Sequence, residues 1–201
     1  MPRIRAENVE AHKRLTRNKL LDAATKTFVA EGFGATSLSA IADAAGIPRT
    51  TVYRYFESKD ELLGAVVEGR VRDRLEALVV DLVEEAPMAR IEEIFRRTMS
   101  LATEEADLTY LVFRVGRELP KRWRDRSWAA LGPVTAELFR LSRLGADLGL
   151  FGSVDPDRFA QILADVLVGG VDELTHAREP VRVFEDVLAA RLAFVRSGLK
   201  A

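Results

Sequence analysis

The 201-residue chain contains no cysteine, which excludes disulfides and thiolate chemistry and points to a reducing cytoplasm. It has only two histidines. No full Asp/Glu/Cys set sits around His12 or His176 at metal-ligand spacing, so neither a metal site nor a Ser–His–acid constellation is expected. No cofactor is implied, and an enzymatic role has no residues to carry it. No apolar run approaches the roughly 18 residues that would span a bilayer. The opening residues MPRIRAENVEAHKR are polar and lack the apolar segment of a signal peptide, so no membrane partner is expected. Strand-like alternation, internal repeats and low-complexity stretches are also missing. Gly169-Gly170 has no preceding strand that would make it a phosphate loop, and suits close helix packing instead.

A large excess of one charge is lacking too, since the net charge is −1. Its distribution is uneven. Residues 1–56 carry nine Lys/Arg against five Asp/Glu, and residues 57–201 carry twenty-one against twenty-six. That pattern is expected if only the first quarter meets a polyanion, although many surfaces of this charge touch no nucleic acid. Hydrophobic residues make up 48% and charged residues 30%, the balance of a folded chain.

Apolar residues recur at spacings of three and four nearly throughout, the period of amphipathic helices. A first helix is expected from about Leu15 to Ala30, with Leu20, Leu21, Ala24 and Phe28 on one face and Gly32 past its end. Ser37 suits the N-cap of a second helix, Leu38 to Ala45, which Gly46 ends. A third starts near Pro48 and runs to about Phe56. Ser58-Lys59-Asp60-Glu61 reads as a capping box opening a fourth, which extends towards Glu85 before Pro87. Five more are expected at 88–104, 106–117, 121–147, 156–177 and 181–198. Pro133 should kink or split the third of these, and Asp155-Pro156 is a clear start signal.

The second and third helices are short and meet around Gly46-Ile47-Pro48, the layout of a helix-turn-helix. The third would place Arg49, Thr50, Thr51, Tyr53, Arg54 and Tyr55 outward, with Val52 and Phe56 as the buried anchor. An α-helix fits the major groove, where arginine reaches guanine bidentately and threonine offers a hydroxyl and a methyl. Tyrosine hydroxyls suit phosphate oxygens. Lys59 and the free N–H groups opening the fourth helix form an anion site, as does Ser37 at the second. By spacing alone, an ordinary three-helix unit with solvated Arg and Tyr fits equally well.

The stretch Leu21-Asp22-Ala23-Ala24, Phe28-Val29-Ala30-Glu31-Gly32-Phe33, Thr36-Ser37-Leu38-Ser39-Ala40-Ile41-Ala42-Asp43-Ala44-Ala45-Gly46-Ile47 and Thr51-Val52-Tyr53-Arg54-Tyr55-Phe56-Glu57-Ser58-Lys59-Asp60-Glu61-Leu62-Leu63 resembles the N-terminal domain of TetR-family regulators. The resemblance implies an all-α chain: a three-helix helix-turn-helix DNA-binding domain over 1–60, ordered from about 14, and a helical ligand-binding and dimerisation domain over 61–201, about nine helices in all. It implies that Ser37 and Ser39 lie near phosphate and the groove edge, and that Arg49, Thr50 and Thr51 face bases. Tyr53, Tyr55 and Lys59 then clamp the backbone. Pro48 departs from the family's usual small polar N-cap, so either Thr50 or Thr51 compensates or the start of the helix is altered. The implied partners are double-stranded DNA with a palindromic operator, a second copy of the chain, and a small-molecule effector.

In the second half, Phe95, Met99, Tyr110, Phe113, Trp123, Trp128 and Phe139 fall at helical spacing, which usually means core. The resemblance makes some of them candidates to line an effector pocket. Arg114, Arg117 and the run from Lys121 to Arg126 could meet an anionic group, or simply form a solvated surface. The last two helices carry Phe159, Ile162, Leu163, Val166, Leu167, Val171, then Val183, Phe184, Val187, Leu188, Leu192 and Val195. The resemblance implies a dimer interface here, with Phe159, Leu163, Val166, Leu167, Gly170, Phe184, Leu188 and Leu192 as its candidates. The reading is therefore a homodimeric repressor released by its effector; a ligand-independent architectural dimer and an activator are the alternatives.

Overall fold

The computed structural model describes residues 2–80, 86–121, 125, 128–152 and 154–198. Among these there are nine helical runs and no strand. They are α1 (Pro2–Glu31), α2 (Leu38–Ala44), α3 (Arg49–Val52), α4, α5 (Pro87–Glu104), α6, α7 (Gly132–Asp147), α8 (Pro156–His176) and α9 (Pro180–Gly198). Two runs change their winding part-way. α4 is α-helical over Lys59–Val66, forms a π turn at Val67–Val71 and is α-helical again over Arg72–Val80. α6 passes from Ala106–Tyr110 through a π turn at Leu111–Val115 to a 3₁₀ turn at Gly116–Glu118.

The chain divides into two compact units. One comprises Met1–Gly69 with Tyr110–Ser127, the other Arg70–Thr109 with Trp128–Ala201. The single cut expected after residue 60 differs from this in two ways. The first crossing falls inside α4, at Gly69 in its π turn, and the chain later returns to the first unit through α6. Hydrophobic periodicity reports which face of a helix is buried but not which unit buries it.

In the first unit α1 packs against α2, α4 and the π turn of α6. Leu20, Leu21, Ala24 and Phe28 are buried as their spacing requires, and Gly32 ends the helix with φ +85°. α1 begins at Pro2 rather than near residue 15. No glycine or proline interrupts residues 3–31, and Lys13 donates to Glu10 at 2.7 Å across one turn, so nothing in the local chemistry stops the helix earlier.

In the second unit α8 lies against α5, α7 and α9, and α5 also packs on α7 and α9. Pro133 sits in the first turn of α7, where its missing N–H costs nothing, and so starts a separate helix rather than kinking a longer one. Asp155 caps α8, accepting from the Arg158 N–H at 2.8 Å. A side-chain carbon added at Gly145 would fall 1.9 Å from the Phe151 ring, so this glycine lets the ring lie on the α7 backbone. Phe151 in turn meets Phe159 with ring centres 5.1 Å apart.

One buried carboxylate ties α5 to α7. Glu137 is 8% exposed and accepts from Arg90 at 2.6 Å and from Arg140 at 2.7 Å. The hydrogen bond from Arg140, reinforced by the two arginine charges, holds its carboxyl below the ordinary value of 4.5 despite burial. A depressed folded-state pKa adds stability above the unfolded value and loses it as pH falls through the folded one. Glu137→Gln should lower stability near neutral pH by ~1–3 kcal/mol. Urea unfolding of both proteins at several pH values should show that gap closing below pH 4.5. A gap that stays constant with pH would show that the carboxylate charge is idle.

Candidate nucleic-acid interface

Ser37 caps α2 from an extended backbone, its Oγ accepting from the Ala40 N–H at 3.1 Å. Leu38, Ile41 and Ala42 face inward, and α2 then stops within one turn. The Gly46 N–H donates to the Asp43 carbonyl at 3.1 Å and the Ile47 N–H to the Ala42 carbonyl at 2.9 Å. This is a Schellman closure, which needs a left-handed residue at its centre. Gly46 supplies it with φ +65°.

α3 is shorter than expected. Regular α-helix covers Arg49–Val52, and the chain continues through Tyr53–Tyr55 as turn. The Arg54 and Tyr55 N–H groups donate three residues back, to Thr51 and Val52, each at 3.0 Å. Consecutive β-branched and aromatic residues have low helix propensity, and the tighter winding agrees with that. Pro48 gives no side-chain cap, and neither Thr50 nor Thr51 replaces it. The start of the helix is altered instead: the Thr51 N–H donates to the Pro48 carbonyl at 2.8 Å.

Val52 and Phe56 are buried, and the remaining residues form one outward edge. Arg49, Thr50, Tyr53 and Arg54 are exposed, while Ser39, Thr51 and Tyr55 are half-buried. The Tyr53 hydroxyl lies 3.4 Å from Ser39 Oγ, joining two expected backbone contacts. Arg49 is fixed by a residue the spacing argument overlooked. Its Nε donates to Asp43 at 3.0 Å and its Nη2 at 2.5 Å. The bond lowers the Asp43 pKa and raises that of Arg49, so both stay charged.

Lys59 occupies a different place from the one expected. Its ammonium donates to the carbonyls of Phe33 at 2.7 Å, Gly34 at 3.0 Å and Thr36 at 3.4 Å. It also stands 4.6 Å from the centre of the Phe33 ring. Three donors thereby meet three carbonyls, and the link between α1 and α2 is held to the start of α4. Ser58 caps that helix, accepting from the Glu61 N–H at 3.1 Å. Glu61 reaches back one residue further than a capping box requires, accepting from the Glu57 N–H at 2.7 Å rather than from Ser58. Arg17, likewise unforeseen, lies 5.5 Å over the Phe56 ring. Contacts of this kind join residues distant in sequence and leave no local pattern.

Residues 20–66 match the model for bacterial regulatory proteins of the tetR family. The N-terminal DNA-binding domain of this chain is thus of the TetR type. The chain is a DNA-binding transcriptional regulator, like its TetR-family relatives. The HTH-type transcriptional regulator YdgC of Bacillus subtilis is 26% identical over 179 residues, covering 87% of this chain and 84% of that one. The HTH-type transcriptional repressor KstR2 of Mycobacterium tuberculosis is 35% identical over 81 residues, 39% of this chain and 40% of that one. Among solved structures, GusR of Salmonella enterica superposes with a TM-score of 0.73 at 18% identity, over 92% of this chain and 96% of that one. FadR of Bacillus subtilis, solved with stearoyl-CoA, gives 0.71 at 18% identity over 87% and 96%. The two structural likenesses are of fold. No helix among the described residues is long and apolar enough to cross a membrane.

The other expected site residues do not gather in one place. Phe95 and Met99 are fully buried in the second unit, and Trp128 and Phe139 are half-buried there. Phe139 borders an open cavity of about 360 Å³ with Asp155, Asp157, Arg158, Gln161 and Ile162. Tyr110, Phe113, Arg114 and Arg117 belong to the first unit. Of these Phe113 is buried and the other three are exposed. Trp123 lies outside the described residues. The candidate dimer residues Phe159, Leu163, Leu167, Gly170, Leu188 and Leu192 are buried within the single chain, leaving Val166 and Phe184 half-exposed. A side-chain carbon at Gly170 would fall 3.1 Å from Met99 of α5. That close approach is therefore within the chain rather than between copies. An apolar stripe shows that something covers it, and α5 and α7 already do.

If the Lys59 ammonium is a strut, Lys59→Met should destabilise the whole chain to urea by ~1–2 kcal/mol, since charged hydrogen bonds are lost and carbonyls exposed. Unchanged stability with weakened DNA binding would instead return Lys59 to the phosphate-clamping role.

Proposed function

We propose that this regulator is a homodimeric repressor that binds a palindromic operator and is released by a small-molecule effector. The observation that carries the DNA-binding part is the single outward edge of α2 and α3. In this reading Arg49, Thr50 and Thr51 meet base edges, and Ser37, Ser39, Tyr53, Arg54 and Tyr55 meet phosphates. Val52 and Phe56 anchor that edge from beneath. Phosphate contacts set register and base contacts set sequence, so the two groups should separate by mutation.

A palindrome requires a two-fold partner. With the inner faces of α8 and α9 occupied, the outer ones are what remain for a second copy. α9 exposes Ala189, Ala190 and Ala193 beside Phe194, which is 60% exposed, and α8 exposes Ile162 at 45%. Small residues next to large apolar ones suit close packing of helices across a dimer axis. The effector is the least constrained element. Apolar candidates near Phe95 and Met99 favour a ligand with an apolar body, and repression follows if effector and operator prefer different separations of the two α3 helices. Each then weakens the other by the same factor.

Selection from a random duplex library, followed by sequencing, should enrich a palindrome. Arg49→Ala should relax one base position by ~1–3 kcal/mol, whereas Tyr53→Ala should weaken all sequences alike. Salt-dependent binding without enrichment would favour an architectural protein, and no binding would sink the reading. For the dimer, Phe194→Asp should yield a monomer in sedimentation at micromolar concentration and lose most operator affinity. A wild-type chain that sediments as a monomer there would overturn the two-fold arrangement.

A further inference from the structure

The Asp43–Arg49 pair contributes little to stability, because both side chains are more than half exposed, at 52% and 65%, and such pairs are worth little in water. Its geometry has another consequence. Asp43 takes the side-on edge of the guanidinium, with Nε donating to Oδ1 at 3.0 Å and Nη2 to Oδ2 at 2.5 Å. The end-on edge, formed by Nη1 and the second hydrogen of Nη2, faces away from the carboxylate. That edge is the fork that fits O6 and N7 of guanine. A free arginine would have to order several rotatable bonds on meeting a base, and here the two-point contact with Asp43 biases them beforehand. The restraint is built into the turn itself. Asp43 is the penultimate residue of α2 and Arg49 the first of α3, and the Gly46 closure brings them together.

We infer that Asp43 is a positioning residue that aims Arg49 at a guanine, making that base pair the most strictly read in each half-site. The inference rests on the operator-binding reading and adds to it a residue that touches no base. The carboxylate has a second effect, since its charge repels phosphates and slows binding to every sequence alike. Only discrimination between bases separates the two effects.

The test is quantitative binding of the full-length wild type, Asp43→Asn, Arg49→Ala and the double variant to the selected operator and its single-base variants. Asp43→Asn should keep the melting temperature, and should cut the preference for guanine at one position per half-site by about 5–10-fold, part of what a bidentate contact supplies. In the Arg49→Ala background the same change should have no effect at that position. An unchanged preference, or uniform tightening alone, would overturn the inference while leaving operator binding intact. Equal loss in the Arg49→Ala background would also overturn it, because Asp43 would then be reading a base itself. If the wild type enriches no palindrome, the operator reading falls and this one falls with it.

Discussion

Between α2 and α3 the chain must end one helix and begin another within four residues, and Gly46 at φ +65° is what allows it. An L-residue with a side chain would meet a penalty of roughly 1–2 kcal/mol in that left-handed conformation. The closure around Gly46 satisfies the last carbonyls of α2 and turns the backbone towards Pro48. Everything on the outward edge follows from that angle. Val52 and Phe56 reach the core, Tyr53 comes within reach of Ser39, and Arg49 is delivered to Asp43. The outward surface of α2 and α3 is thus set by a backbone constraint at Gly46.

The rest of the first unit holds this corner still. Lys59 gathers three carbonyls of the link between α1 and α2, and Phe33 stacks beneath its ammonium. Arg17 of α1 lies over the Phe56 ring. A positive charge spent on carbonyls looks wasteful in a DNA-binding unit until its position is considered. It joins the start of α4 to the segment preceding Ser37, so the N-terminal ends of α2 and α4 are located by one group. The second unit achieves order differently, by close backbone approach at Gly145 and Gly170 and by a buried carboxylate shared between two arginines.

Helix starts were legible where a side chain caps locally. Ser37, Ser58 and Asp155 each accept from the backbone N–H three residues on, as their spacing requires. Pro87, Pro133 and Pro156 each stand in a first turn. The buried faces of α1 and α2 were equally plain. α3 is shorter than its spacing predicts because Tyr53 and Tyr55 fit a helical period yet wind more tightly. α1 begins earlier than its apolar pattern predicts because a polar segment with no breaker carries no hydrophobic period to mark it. Leu163, Leu167, Leu188 and Leu192 fit a dimer seam by spacing yet are buried within the chain, because periodicity marks a face as covered without naming the cover.

Local chemistry alone determined the helical class, the turn at Gly46, the caps and the identity of the outward residues on α3, because each depends on neighbours within about four positions. The Asp43–Arg49 pair, the Lys59 cage and the return of Tyr110–Ser127 to the first unit belong to tertiary structure, as does the division between core and free surface on α8 and α9. Each joins groups separated by a turn or by tens of residues, and no spacing rule encodes which of several equivalent partners will be nearest once the helices have packed.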